Sequence, residues 1–119
     1  MAPMTPRDRE RVAALEAFQN RVHHAKGTIE RFASQPRDSE ALSITVRRTI
    51  TQLKLQFTAA GLDNLAQICV NLESAARTGS NHRLKSTKLR EGIGTITRLI
   101  EQERRAIVFA ARMADSGGG

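Results

Sequence analysis

Apolar residues recur at every third or fourth position along most of this chain. Leu15, Phe18, Val22, Ala25, Ile29 and Phe32 form a first series and Leu42, Val46, Ile50, Leu53 and Phe57 a second. Leu62, Leu65, Cys69, Leu72 and Ala76 form a third, and Leu89, Ile93, Ile96, Ile100 and Ile107 a fourth. That spacing is the single stripe by which a bundle helix meets its core. No useful length of chain alternates with the period of two of a strand. The pattern predicts an all-α protein of four helices.

Punctuation between the stripes sets the boundaries. Thr5 can cap a first helix, Pro6 suits its first position and Asp8 its first turn. Pro36, within "SQPRDSE", stops that helix, and Asp38 or Ser39 begins the second, over residues 39–60. Gly61 separates the second helix from the third, and Gly79 is the expected end of the third. Ser80 or Asn81 starts the last helical region. "REGIG", residues 90–94, is expected to divide it, because each glycine in a helix interior costs about 1 kcal/mol relative to alanine. "DSGGG", residues 115–119, reads as a flexible tail, like residues 1–5, leaving a domain over residues 6–114. Short connections make an antiparallel, up-down-up-down four-helix bundle the economical arrangement.

Composition narrows the function classes. Four Phe are the only aromatics among 119 residues, so the core is aliphatic. No apolar run reaches the roughly 20 residues of a membrane span, and "MAPMTPRDRERV" has no signal-type apolar stretch. A single cysteine, Cys69, falls on the third stripe and reads as packing; with no internal disulfide to form, a cytoplasmic location is the expectation. The net charge of +7 fits nucleic acid, an anionic surface or an acidic protein. Arg and Lys are spread among Asp and Glu, without a basic run or neighbouring stacking aromatics, which argues against nucleic acid. No phosphate loop, catalytic carboxylate pair or helical metal-ligand pair stands out, so neither enzyme, metal nor cofactor is expected.

The second and third helices carry a resemblance. "TQLKLQFTAAG", residues 51–61, has a Leu-Lys pair at Leu53 and Lys54 and a closing glycine at Gly61. "GLDNLAQICVNLESAARTG" follows it, and "IERFASQPRDSEALSITVRRTITQLK" leads up to it. Together these resemble the histidine-containing phosphotransfer (HPt) domain, including the HPt-type first domain of chemotaxis kinases. The family pattern is His-x-Leu-Lys-Gly with a further glycine six residues on. The resemblance covers roughly residues 12–79. It implies a four-helix bundle whose second helix presents a phosphoryl-carrying imidazole to receiver domains.

Two positions depart from that pattern. Thr51 stands where the family has its histidine, and Leu55 where it has the first glycine. A phosphoimidazole readily gives its phosphoryl group back, whereas a threonine phosphoester is a dead end. The resemblance therefore implies a pseudo-HPt domain that docks partners without relaying phosphate. "HRLKSTKLREG" places His82 in a partial match and "HHAKGT" places His23 in a shorter one. His82 would leave too few helices after it and His23 too few before it. His82 remains as an alternative relay site, while His23 and His24 read as surface residues.

With the core stripe of the second helix centred near Leu53, Thr51 is expected to face solvent together with Ile44, Arg48, Leu55 and Thr58. Ile44 and Leu55 then flank Arg47 and Arg48 in a mixed apolar and basic patch, with Lys54 at its border. The family docks its receiver here, and an acidic receiver pocket favours such a charge. The expected partners are a response-regulator receiver domain, a histidine kinase or a second copy of the chain. The alternatives are an active phosphotransferase using His82 and a basic helical nucleic-acid-binding or dimerisation protein.

Overall fold

The computed structural model describes residues 4–77 and 81–117. Among them the regular structure is helical and contains no strand. Helix α1 spans Pro6–Ser34, α2 Ser39–Ala59, α3 Asp63–Arg77 and α4 His82–Gly117, with one 3-10 turn at Pro36–Asp38.

Local chemistry accounts for the helix ends. The Thr5 hydroxyl accepts the Asp8 amide at 3.1 Å, with Pro6 opening α1 behind it. Proline at position 36 forces the chain into the short 3-10 turn. Asp38 then precedes α2 without a capping bond from its side chain. At the other end of α2, Gly61 adopts φ +75. The Leu62 amide reaches back to the Phe57 carbonyl at 2.9 Å and the Gly61 amide to that of Thr58 at 3.1 Å. This is a Schellman ending, which requires the left-handed residue that glycine supplies without strain. Asn81 caps α4 by accepting the Leu84 amide at 2.8 Å. Gly79 and Ser80 lie outside the described residues.

Two expected boundaries are moved. α4 is continuous through "REGIG", so the glycines do not divide it. Gly92 sits where α4 crosses α3, and a Cβ there would collide with the Leu72 side chain. Close packing of the two helices outweighs the propensity penalty. The α4 backbone also stays helical as far as Gly117, into the segment expected to be a tail.

Each helix packs on two neighbours: α1 on α2 and α4, and α3 on α2 and α4. Early residues of α1 meet late residues of α4. Arg11 bonds Glu103 at 3.3 Å, whereas Glu30 near the other end is held by Arg90 at 2.8 and 3.0 Å. The four apolar stripes meet in one core, with Leu42 and Leu62 packed at its edge. Phe18 and Phe57 are in contact there, their ring centroids 4.9 Å apart. Burying these side chains supplies the main drive to fold, about 1.5–3 kcal/mol for each large one. No helix among the described residues is long and apolar enough to cross a membrane.

Candidate functional site

The shortest helices, α2 and α3, lie side by side and build the site. Val46, Ile50, Leu53 and Phe57 of α2 and Leu65, Cys69, Leu72 and Ala76 of α3 are buried. Their inward pull fixes the rotation of both helices and brings the next positions around, Thr51, Lys54 and Glu73, to the seam between them.

Glu73 is the centre of the seam. It is a charged side chain only 6% exposed. The Thr51 hydroxyl donates to its Oε2 at 2.7 Å, and Lys54 Nζ lies 2.8 Å from its Oε1. Arg77 approaches Oε2 at 3.9 Å. Burial pushes the Glu73 carboxyl up, but the bonds from Lys54 and Thr51 and the charges of Lys54 and Arg77 outweigh it and hold the pKa below the ordinary value of 4.5. Glu73 is therefore ionised at neutral pH with both oxygens engaged.

This corrects the expected exposure of Thr51. It is half-buried, with its one proton committed inward to Glu73. The neighbouring threonines of α2 behave differently. Thr49 and Thr58 turn their hydroxyls back onto the carbonyls of Thr45 and Lys54, at 2.9 and 2.8 Å. Lys54, expected to contribute only charge at the border, is the partner of a buried carboxylate.

The remaining expected residues are exposed. Ile44 is 52% and Leu55 61% exposed, and Arg47, Arg48 and Thr58 also face outward. Ile44, Arg47, Arg48 and Thr51 come together with Gln52, Glu73 and Arg77 around one open hollow between α2 and α3. Lys54 belongs to an adjoining depression with Val70, Ser74, Glu73 and Arg77. Leu55 and Thr58 line neither and continue the surface one turn further on. The α3 contribution, Glu73, Val70 and Arg77, was missing from the sequence reading. One signal was available: Glu73 sits between Cys69 and Ala76 on the core side of α3, where a carboxylate needs a partner.

The other chemistry-bearing residues are occupied structurally. Cys69 is fully buried, and burial, with the charge of Glu73, pushes its thiol up to about 12 despite the opposing Lys54. It stays protonated and unreactive at neutral pH. His82 opens α4 half-buried, its ring 4.5 Å from that of Phe32. Its Nε2 is 3.2 Å from the Ala33 carbonyl and its Nδ1 3.1 Å from Ser39 Oγ. The carbonyl can only accept, so Nε2 donates to it, and Nδ1 shares a hydrogen bond with the Ser39 hydroxyl. Both ring nitrogens are engaged in tying α4 to the α1–α2 turn, leaving neither presented as a phosphoryl acceptor. His23 and His24 are exposed on α1. Among the described residues no group of three or more His, Cys, Asp and Glu could hold a metal ion.

No known protein family, no curated protein and no solved structure matches the chain.

Proposed function

We propose that this chain is a pseudo-HPt signalling module: an antiparallel, up-down-up-down bundle that docks a response-regulator receiver domain on its α2–α3 face without accepting phosphate there. The observation that carries the reading is the bond from Thr51 to the buried Glu73. At the position where the resembled family holds its imidazole, this chain has a hydroxyl turned inward and bonded to a buried carboxylate, set in a basic rim. Phosphorylating Thr51 would break that bond and place a dianion beside a carboxylate.

The rim supports docking. Arg47, Arg48 and Arg77 give the face the charge that complements an acidic receiver pocket. Ile44 and Leu55 provide exposed apolar anchors at its edges. The pairing of early α1 with late α4 residues supports the antiparallel arrangement.

The test is a receiver domain carrying a radiolabelled acyl phosphate. The complex forms and no label passes to the chain, while Arg48→Glu and Leu55→Glu each weaken the complex. Acid-labile label on this chain that disappears in His82→Ala would overturn the reading in favour of an active relay.

A further inference from the structure

The hollow between α2 and α3 has more positive charge than its own residues use. Arg47, Arg48 and Arg77 line it, and Lys54 borders it through Glu73. Against these four cations stands one carboxylate, Glu73, already bonded on both oxygens by Lys54 and Thr51. Three positive charges are left in excess (4 − 1). Among the described residues Arg47 and Arg48 have no carboxylate partner, and Arg77 has only the long 3.9 Å approach to Glu73. Gln52 adds an amide that can donate. The hollow, about 380 Å³, is many times the ~30 Å³ share of one water molecule.

We infer that this hollow is a binding site for a phosphoryl dianion. The guanidinium fork matches phosphate geometry and donates two parallel bonds to it. Three such groups on two facing helices form an open cradle. Pairing with Lys54 offsets part of the repulsion that the Glu73 carboxylate exerts from the floor, and a dianion held by the arginine rim need not displace the Thr51 bond as a phosphate on Thr51 itself would. The dianion comes either as free phosphate or as the acyl phosphate on a partner's aspartate. The second source rests on the docking reading above and deepens it: the helix pair that does not carry a phosphoryl group then recognises one carried by its partner.

The experiment is a titration of the isotopically labelled chain, followed by its amide and arginine resonances. The probes are inorganic phosphate and acetyl phosphate, each against sodium chloride at matched ionic strength. The site predicts saturable shifts confined to residues 44–52 and 73–77, with dissociation constants on the order of millimolar for an open, solvent-screened site. Replacing both Arg48 and Arg77 by Gln weakens binding by about tenfold or more, since each charge-assisted bond lost carries that order of affinity. These side chains are exposed, so an unchanged thermal midpoint checks the fold of the variant.

Tighter binding of acetyl phosphate than of inorganic phosphate supports the acyl source; equal or weaker binding supports free phosphate. No saturable shift beyond that of chloride overturns the inference, as does binding that survives the double substitution. A duplex oligonucleotide bound through these arginines in preference to both probes also overturns it. Receiver-domain capture is measured separately. Its absence beside intact phosphate binding sinks the docking reading alone, and its presence without phosphate binding sinks this inference alone.

Discussion

Thr51 and Glu73, 22 residues apart, share a 2.7 Å hydrogen bond across the seam of α2 and α3. Lys54 closes the same carboxylate from the other side at 2.8 Å. A carboxylate in this position is stable only while its partners are present, because removing one partner strands the other charge away from water.

Glu73→Gln therefore leaves the half-buried Lys54 ammonium without its counter-ion and destabilises the fold by about 1–3 kcal/mol. Replacing the pair together, Glu73→Leu with Lys54→Met, recovers most of that loss, since apolar residues of similar volume substitute well for a buried ion pair. Thr51 can then turn its hydroxyl to a carbonyl one turn back, as Thr49 and Thr58 do. Urea denaturation of the single and double variants checks both signs.

Acid exposes the same interactions. Glu73 has a folded-state pKa below 4.5 for the reasons given above. Glu101 is held down to about 2, chiefly by its bond from Arg104 and then by those from Gln19 and Arg105. A depressed carboxyl contributes stability that is complete above its unfolded value and is lost as the pH falls through its folded value. The urea midpoint is expected to fall as the pH drops below 4.5, and in Glu101→Gln the part of the fall extending towards pH 2 is smaller.

The two glycines of "REGIG" separate packing from propensity. A Cβ at Gly92 meets the Leu72 side chain, whereas one at Gly94 has open space. Gly94→Ala should stabilise the protein by up to about 1 kcal/mol, the ordinary gain in a helix interior. Gly92→Ala should destabilise it by about 1–3 kcal/mol through overpacking. Thermal unfolding of the two variants moves in opposite directions.

His82 acts as a fastener in this structure. His82→Ala removes its bonds to Ala33 and Ser39 and its contact with Phe32. The expected loss is about 1–3 kcal/mol, with receiver binding unchanged once the protein is folded. A variant that keeps its stability but loses partner binding would place His82 at the interface instead.

Most of the helical framework was legible because it depends on local periodicity and end chemistry. The buried series Val22–Ala25–Ile29–Phe32 and Ile93–Ile96–Ile100 follow the three-four spacing directly. Thr5, Pro6 and Gly61 mark boundaries through capping bonds and φ that involve only their own turn. The site was legible on one side only. Ile44, Leu55, Arg47 and Arg48 are exposed as the helix rotation predicts. Lys54 borders the core stripe but Thr51 lies well round from it, and what holds both inward is Glu73 on another helix. Gly92 is a similar case: Leu72, 20 positions away, determines whether a glycine is a break or a fit. Pairings of that range carry no local signature.

The most direct test of the account is an amide footprint of the labelled chain titrated with a receiver domain. The predicted result is a saturable set of shifts over residues 44–58 of α2 and residues 70–77 of α3, abolished by Leu55→Glu with Arg48→Glu, while the resonances of α1 and of the His82 end of α4 stay in place. No shifts across a range of receiver domains, or shifts centred on His82, would contradict it.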